Sequence, residues 1–225
     1  MNGSKNPEAA FLALMTASAT HEVRNVLAII KESAGLIQDM VLLFEKKGTM
    51  DGEKLNRTVG RIDTQIRRGA DLLTSLNRLS HTLDFETTTV DLNQEIQELV
   101  FLSQRSARKG GHVLEARTLA TASPLSVNQL HLHMALFSIL GFLLEALPEG
   151  VTVAIQVTDS GNAPGVELRG LKDGEAIAFE SNRPEALDEV RVWGQALNAR
   201  LELLEDGSGF RVLFPRTTGA SSSRP

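Results

Sequence analysis

From roughly Pro7 to Lys47 nothing in the chain breaks a helix, and apolar residues recur at Ala19, Val23, Leu27, Ile30, Ala34, Ile37, Val41 and Phe44. These steps alternate between three and four, which is the heptad pattern of a long amphipathic helix. Gly48-Thr49-Met50-Asp51-Gly52 reads as a turn, and a second heptad stripe follows at Leu55, Val59, Ile62, Ile66, Leu73, Leu76 and Leu83. Two such helices joined by a short polar turn make an antiparallel hairpin. A hairpin alone cannot cover both stripes from water, whereas two hairpins paired into a four-helix bundle can. The expected assembly is therefore a homodimer.

The character of the chain changes after Leu83. Thr87-Thr88-Thr89-Val90-Asp91-Leu92-Asn93 is strand-like and then caps a helix running to about Arg108. A helix from about Val127 to Leu147 follows, then strands at Val151 to Val157 and about Val166 to Leu171, and a helix near Pro184 to Asn198. Leu201-Glu202-Leu203-Leu204 and Phe210-Arg211-Val212-Leu213-Phe214 flank the turn Glu205-Asp206-Gly207-Ser208-Gly209 and form a hairpin. Mixed in this way, the elements predict an α+β layer with helices on one sheet face. The expected organisation is a helical hairpin over residues 1–86, an α+β domain over 87–216 and a disordered polar tail over 217–225.

Bulk properties narrow the partner. A length of 225 residues with 42% apolar content suffices for two modest cores. The net charge is -5, and Lys and Arg run no longer than pairs, which argues against a nucleic-acid footprint and for a protein partner. With no cysteine there is neither a disulfide framework nor a thiolate metal site. The N-terminus lacks the order of a signal peptide, and no stretch approaches about 18 uninterrupted apolar residues. The expectation is a cytoplasmic protein with no membrane anchor.

Chemistry concentrates in Thr20-His21-Glu22-Val23-Arg24-Asn25-Val26-Leu27, with Val23 and Leu27 assigned to the buried stripe. His21 lies roughly 200° around the helix from Val23, so its imidazole is expected to face solvent. A neutral imidazole is a competent nucleophile near neutrality and can accept a phosphoryl group. Glu22 is placed to accept a ring N–H. Asn25, one turn along, is placed to orient a phosphoryl oxygen or a water. Arg24 and Lys31 add positive charge for a phosphorylated partner, although an ordinary solvated helix face explains Arg24 as well. Arg57, Arg61, Arg67, Arg68 and Arg78 are read as solubilising the second helix, with those opposite His21 able to meet an acidic partner.

The His-Glu-x-x-Asn segment in a helical hairpin resembles the phosphoacceptor box of histidine kinases, and the resemblance extends from about Phe11 to Pro215. Val90-Asp91-Leu92-Asn93-Gln94-Glu95-Ile96 resembles the entry to that family's ATP-binding domain, and Ser126 to Gly150 its first nucleotide-side helix. Three departures follow. Phe142 stands where the family has a magnesium-holding Asn. Gly170-Leu171-Lys172-Asp173-Gly174 lacks the family's Asp-and-glycine set for adenine. The glycine-rich lid is missing.

The resemblance thus implies a degenerate kinase-type domain and a histidine phosphotransferase. Such a shuttle moves phosphoryl groups between receiver-domain aspartates and His21, without a cofactor of its own and with Mg2+ supplied by the receiver. Three competing readings are a response-regulator phosphatase that relies on Glu22 and Asn25, a non-catalytic receiver-binding module, and an active sensor kinase. The zinc-protease pattern His-Glu-x-x-His fails at its second His. His131 and His133, two apart on a helix, point to opposite sides; with His81 and His112 they are read as structural or merely exposed. Gly207-Ser208-Gly209 joins two strands and is read as a hairpin turn.

Overall fold

The computed structural model describes residues 6–159, 163–179, 192 and 194–215. It divides into two compact units between Ser80 and His81. The architecture is mixed α+β, with an N-terminal helical hairpin.

Local signals set the ends of the hairpin helices. Helix α1 spans Pro7–Lys47. The Asn6 side chain accepts from the amides of Glu8 (2.9 Å) and Ala9 (3.4 Å), and Pro7 fills a first-turn position that needs no N–H donor. At the far end Gly48 takes a left-handed conformation, φ 67°, and its N–H returns to the Phe44 carbonyl at 2.7 Å. Helix α2 spans Gly52–His81, and the Asp51 carboxylate accepts from the Lys54 amide at 3.0 Å.

The two helices are antiparallel: Arg61 reaches Glu32, and Arg68 reaches Glu22. Buried positions fall at multiples of seven residues, at Ala19, Val26, Ser33 and Met40 on α1 and at Thr58, Leu72 and Leu79 on α2. The stripe expected from the sequence is displaced by one residue here. Val26 is the buried side chain, Val23 is half-buried and Leu27 is 58% exposed. The cause is the close approach of α2. A Cβ on Gly69 would lie 3.2 Å from Val26 Cγ1, so the inner line runs through Val26. Exposed apolar residues sit beside this inner line: Leu27 and Val41 on α1, Val59, Ile66 and Leu73 on α2.

The second unit opens with a 3-10 turn, Thr82–Asp84, then β1 (Thr88–Asp91), α3 (Leu92–Lys109), β2 (Val113–Arg117), β3 (Pro124–Val127) and α4 (Gln129–Ala146). Strands β4 (Thr152–Asp159), β5 (Pro164–Lys172), β6 (Glu175–Ala176), β7 (Arg200–Leu203) and β8 (Gly209–Leu213) follow. β1 and β3 form a small antiparallel ribbon, while the main sheet has the order β2-β4-β5-β8-β7, with β6 folded back on β5. Only the β2–β4 pair is parallel among the described strands. The expected helix near Pro184 to Asn198 falls largely outside the described residues, and the expected tail lies wholly outside them.

Alternation sends Val153, Ile155 and Val157 of β4, Val166 and Leu168 of β5, and Phe210 and Val212 of β8 into one core with Ile96 and Leu99 of α3 and Leu132, Leu136, Ile139 and Leu143 of α4. Helix α4 is apolar enough for its length to pass as a membrane span by composition, yet 56% of it is buried within the fold. The Asp91 carboxylate caps α3 by accepting from the Asn93 amide at 3.1 Å and also accepts from Ser123 N–H at 2.9 Å. The Asn93 side chain donates to Thr121 O at 2.8 Å and accepts from Leu119 N–H at 2.9 Å. The Asp-Leu-Asn motif thus ties the segment before β3 to the start of α3.

Candidate functional site

His21, Arg24, Asn25 and Lys31 are all exposed on α1, and Glu22 is half-buried among them. His21 sits about 140° around the helix from Val26, away from the inner line. The Glu22 carboxylate is held at both oxygens. Asn25 Nδ2 donates to Oε1 at 3.2 Å, and the Arg68 guanidinium donates to Oε2 at 2.6 Å. Carboxylate, amide and guanidinium therefore form one connected group on the helix surface next to His21. Arg24 and Lys31 have no role in that group.

Arg68 is the member whose contact with Glu22 the sequence does not announce, since it reads with four other arginines as solubilising or as able to meet an acidic partner. It lies 46 residues from Glu22, and no local pattern distinguishes it from Arg67 beside it. Arg67 pairs instead with Asp63 one turn back on its own helix. The separating signal is tertiary. Gly69, adjacent to Arg68, lies close against Val26, and a neighbouring side chain on α2 is then within reach of α1.

In the second unit Phe142 is buried, and its ring meets Phe179 edge-on, with centroids 5.2 Å apart and planes at 81°. It meets Phe210 in the same manner at 5.5 Å and 77°, and Phe179 stacks on Phe210 at 5.5 Å. Two further rings thus pack on the residue that the resemblance aligns with a metal ligand. Asp173 and Gly174 both have positive φ, 52° and 87°, and turn the chain tightly between β5 and β6. Gly207-Ser208-Gly209 is a hairpin turn between β7 and β8. Ser208 donates from N and Oγ to Asp206 Oδ1, at 2.9 and 2.6 Å, and these two bonds hold the Asp206 carboxyl below its ordinary pKa.

Glu95, Glu98 and His133 bring ligand-type atoms within 4.8 Å of one another, and all three are buried. Glu95 is committed already: Gln129 Nε2 donates to both its oxygens at 3.1 Å, and His133 Nε2 lies 2.5 Å from Oε2. The group reads as a buried polar network joining α3 to α4. Of the other histidines, His112 bonds the Leu144 carbonyl at 3.0 Å and His81 pairs with Asp84 at 2.8 Å.

No protein-family model matches the chain. No curated protein matches it either. Among solved structures the chain is similar to the Acinetobacter baumannii histidine kinase AdeS, at 15% identity and TM-score 0.47, over 88% of this chain and 98% of that one. It is similar to the cytoplasmic segment of histidine kinase QseC at 19% identity and TM-score 0.45, over 66% of this chain and 93% of that one. Histidine kinase ThkA, solved in complex with response regulator protein TrrA, matches at 19% identity and TM-score 0.46, over 95% of this chain and 64% of that chain.

Proposed function

We propose that the chain is a cytoplasmic histidine phosphotransfer protein of a two-component phosphorelay, which moves phosphoryl groups between receiver-domain aspartates and His21 without using ATP. The observation that carries this reading is the arrangement on α1: an exposed His21 beside a Glu22 held by Asn25 and Arg68. In the transfer step one ring nitrogen of His21 forms the N–P bond as the acyl P–O bond breaks, and the receiver's carboxylate leaves. The proton on the other ring nitrogen becomes acidic and passes to Glu22, while Asn25 is one turn away to steady a phosphoryl oxygen. Positioning and charge supply most of the rate enhancement, and Mg2+ comes with the receiver. Arg24 and Lys31 are assigned to receiver contact.

Two further observations support parts of this reading. The Phe142, Phe179 and Phe210 cluster gathers apolar rings at the position that the family resemblance aligns with a magnesium ligand. The line of Leu27, Val41, Val59, Ile66 and Leu73 on the hairpin surface suits a second copy of the chain, paired as a four-helix bundle. The Asn25–Glu22 hydrogen bond favours one other reading. A linked amide and carboxylate can align water on an aspartyl phosphate, making the protein a receiver phosphatase.

The test incubates purified protein with radiolabelled ATP alone and, separately, with phosphorylated receiver domains encoded in the same genome. The expected outcome is acid-labile label from a receiver only, absent in His21→Gln. Label from ATP alone identifies a kinase. Receiver dephosphorylation that persists in His21→Gln and stops in Asn25→Ala identifies a phosphatase.

A further inference from the structure

We infer that Arg68 of α2 is a positioning residue for the site on α1, orienting the Glu22 carboxylate beside His21 and offsetting its charge; the inference rests on the phosphotransfer reading above. Arg57, Arg61, Arg67 and Arg68 of α2 each pair with an acid in the hairpin, and burial separates them. The Arg57–Glu53 side chains are 72% and 89% exposed, Arg67–Asp63 76% and 54%, and Arg61–Glu32 47% and 63%. In Arg68–Glu22 the figures are 31% and 12%. Pairs of the first kind hold long side chains against solvent screening and entropy, and contribute little. The fourth is partly withdrawn from water, where a guanidinium–carboxylate contact is stronger and more directional.

Geometry gives this pair two consequences for a phosphoryl acceptor. With Arg68 on Oε2 and Asn25 on Oε1, the carboxylate is tethered from both sides, so its orientation next to His21 does not depend on α1 alone. An incoming phosphoryl group is anionic, and a carboxylate without a counter-charge beside the acceptor opposes its approach. Arg68 removes that opposition while leaving Glu22 able to take the ring proton. Gly69, next to Arg68, faces Val26 closely: a Cβ there would lie 3.2 Å from Val26 Cγ1, so a side chain at this position requires Val26 to shift by a few tenths of an ångström.

The test is a double-mutant cycle read by initial rates of label transfer. The donor is the receiver that labels the wild-type protein fastest in a panel charged with acetyl phosphate. Arg68→Ala is expected to slow transfer about tenfold or more, and Arg68→Lys to recover most of the rate. In a Glu22→Gln background, Arg68→Ala is expected to change the rate by less than about twofold, because the charge it offsets is already gone. Thermal melting is measured for each variant. Should Arg68→Ala fail to fold, Arg68→Gln, which keeps a donor without the charge, takes its place in the cycle. A wild-type rate in Arg68→Ala, or an equal loss in both backgrounds, overturns the positioning role and leaves the phosphotransfer reading standing. A wild-type protein that takes label from no receiver overturns both.

Discussion

The two units handle apolar surface in opposite ways. In the α+β unit the alternating residues of β4, β5 and β8 and nearly every face of α4 are buried together, and even Phe142 is enclosed by two further rings. In the hairpin, Val59, Ile66 and Leu73 are each at least half exposed, although they recur at strict heptad spacing. A core that closes on itself requires nothing further. A heptad line left open has the form of an interface, and it lies on the same hairpin as His21. On the proposed reading, the chemistry lies on the unit that leaves such a line open.

The largest expected effect is on the open line. Ile66→Asp with Leu73→Asp alters four side chains in a symmetric pair, each contributing about 1.5 kcal/mol or more when buried. The proposed dimer is expected to become a monomer in analytical ultracentrifugation; an unchanged sedimentation coefficient would mean that something other than a second copy covers this face. Next comes the closed core. Phe210→Ala removes the ring that touches both Phe142 and Phe179 and is expected to cost about 3–5 kcal/mol in urea denaturation. The hairpin helices should keep their circular dichroism, and if both units melt together the two are energetically one. The smallest effect concerns the β7–β8 turn. Ser208 depresses the Asp206 pKa, so the folded state gains from the ionised carboxylate above the unfolded value, near 3.9, and loses that gain as pH falls through the folded value. Asp206→Asn is expected to melt slightly lower than wild type at pH 7 and to differ less from it at about pH 3. A gap of equal size at both pH values would show that the turn depends on shape, not on charge.

Much of the hairpin was legible because its determinants are close in sequence. Asn6 and Gly48 bound α1 through hydrogen bonds to residues about one turn away, Pro7 fits a first-turn position without needing an N–H, and the expected limits of that helix match the observed ones. The β7–β8 hairpin was legible for the same reason, its turn being held by Asp206 and Ser208. β2 and β3 were not. Val113-Leu114-Glu115-Ala116-Arg117 has mixed polarity and becomes a strand by parallel pairing with β4, about forty residues later, which no local pattern announces.

At the site itself, heptad spacing and a single histidine off the stripe place His21 at the surface without any knowledge of its partners, because helical rotation per residue is a constant of the backbone. Which of two adjacent apolar residues turns inward is another matter. Val26 rather than Leu27 lines the inner seam because Gly69 of the opposite helix leaves room there. The same approach brings Arg68 to Glu22. Both outcomes depend on the register between helices, a property of two surfaces in contact, and a periodic pattern read along one strand of sequence does not contain it.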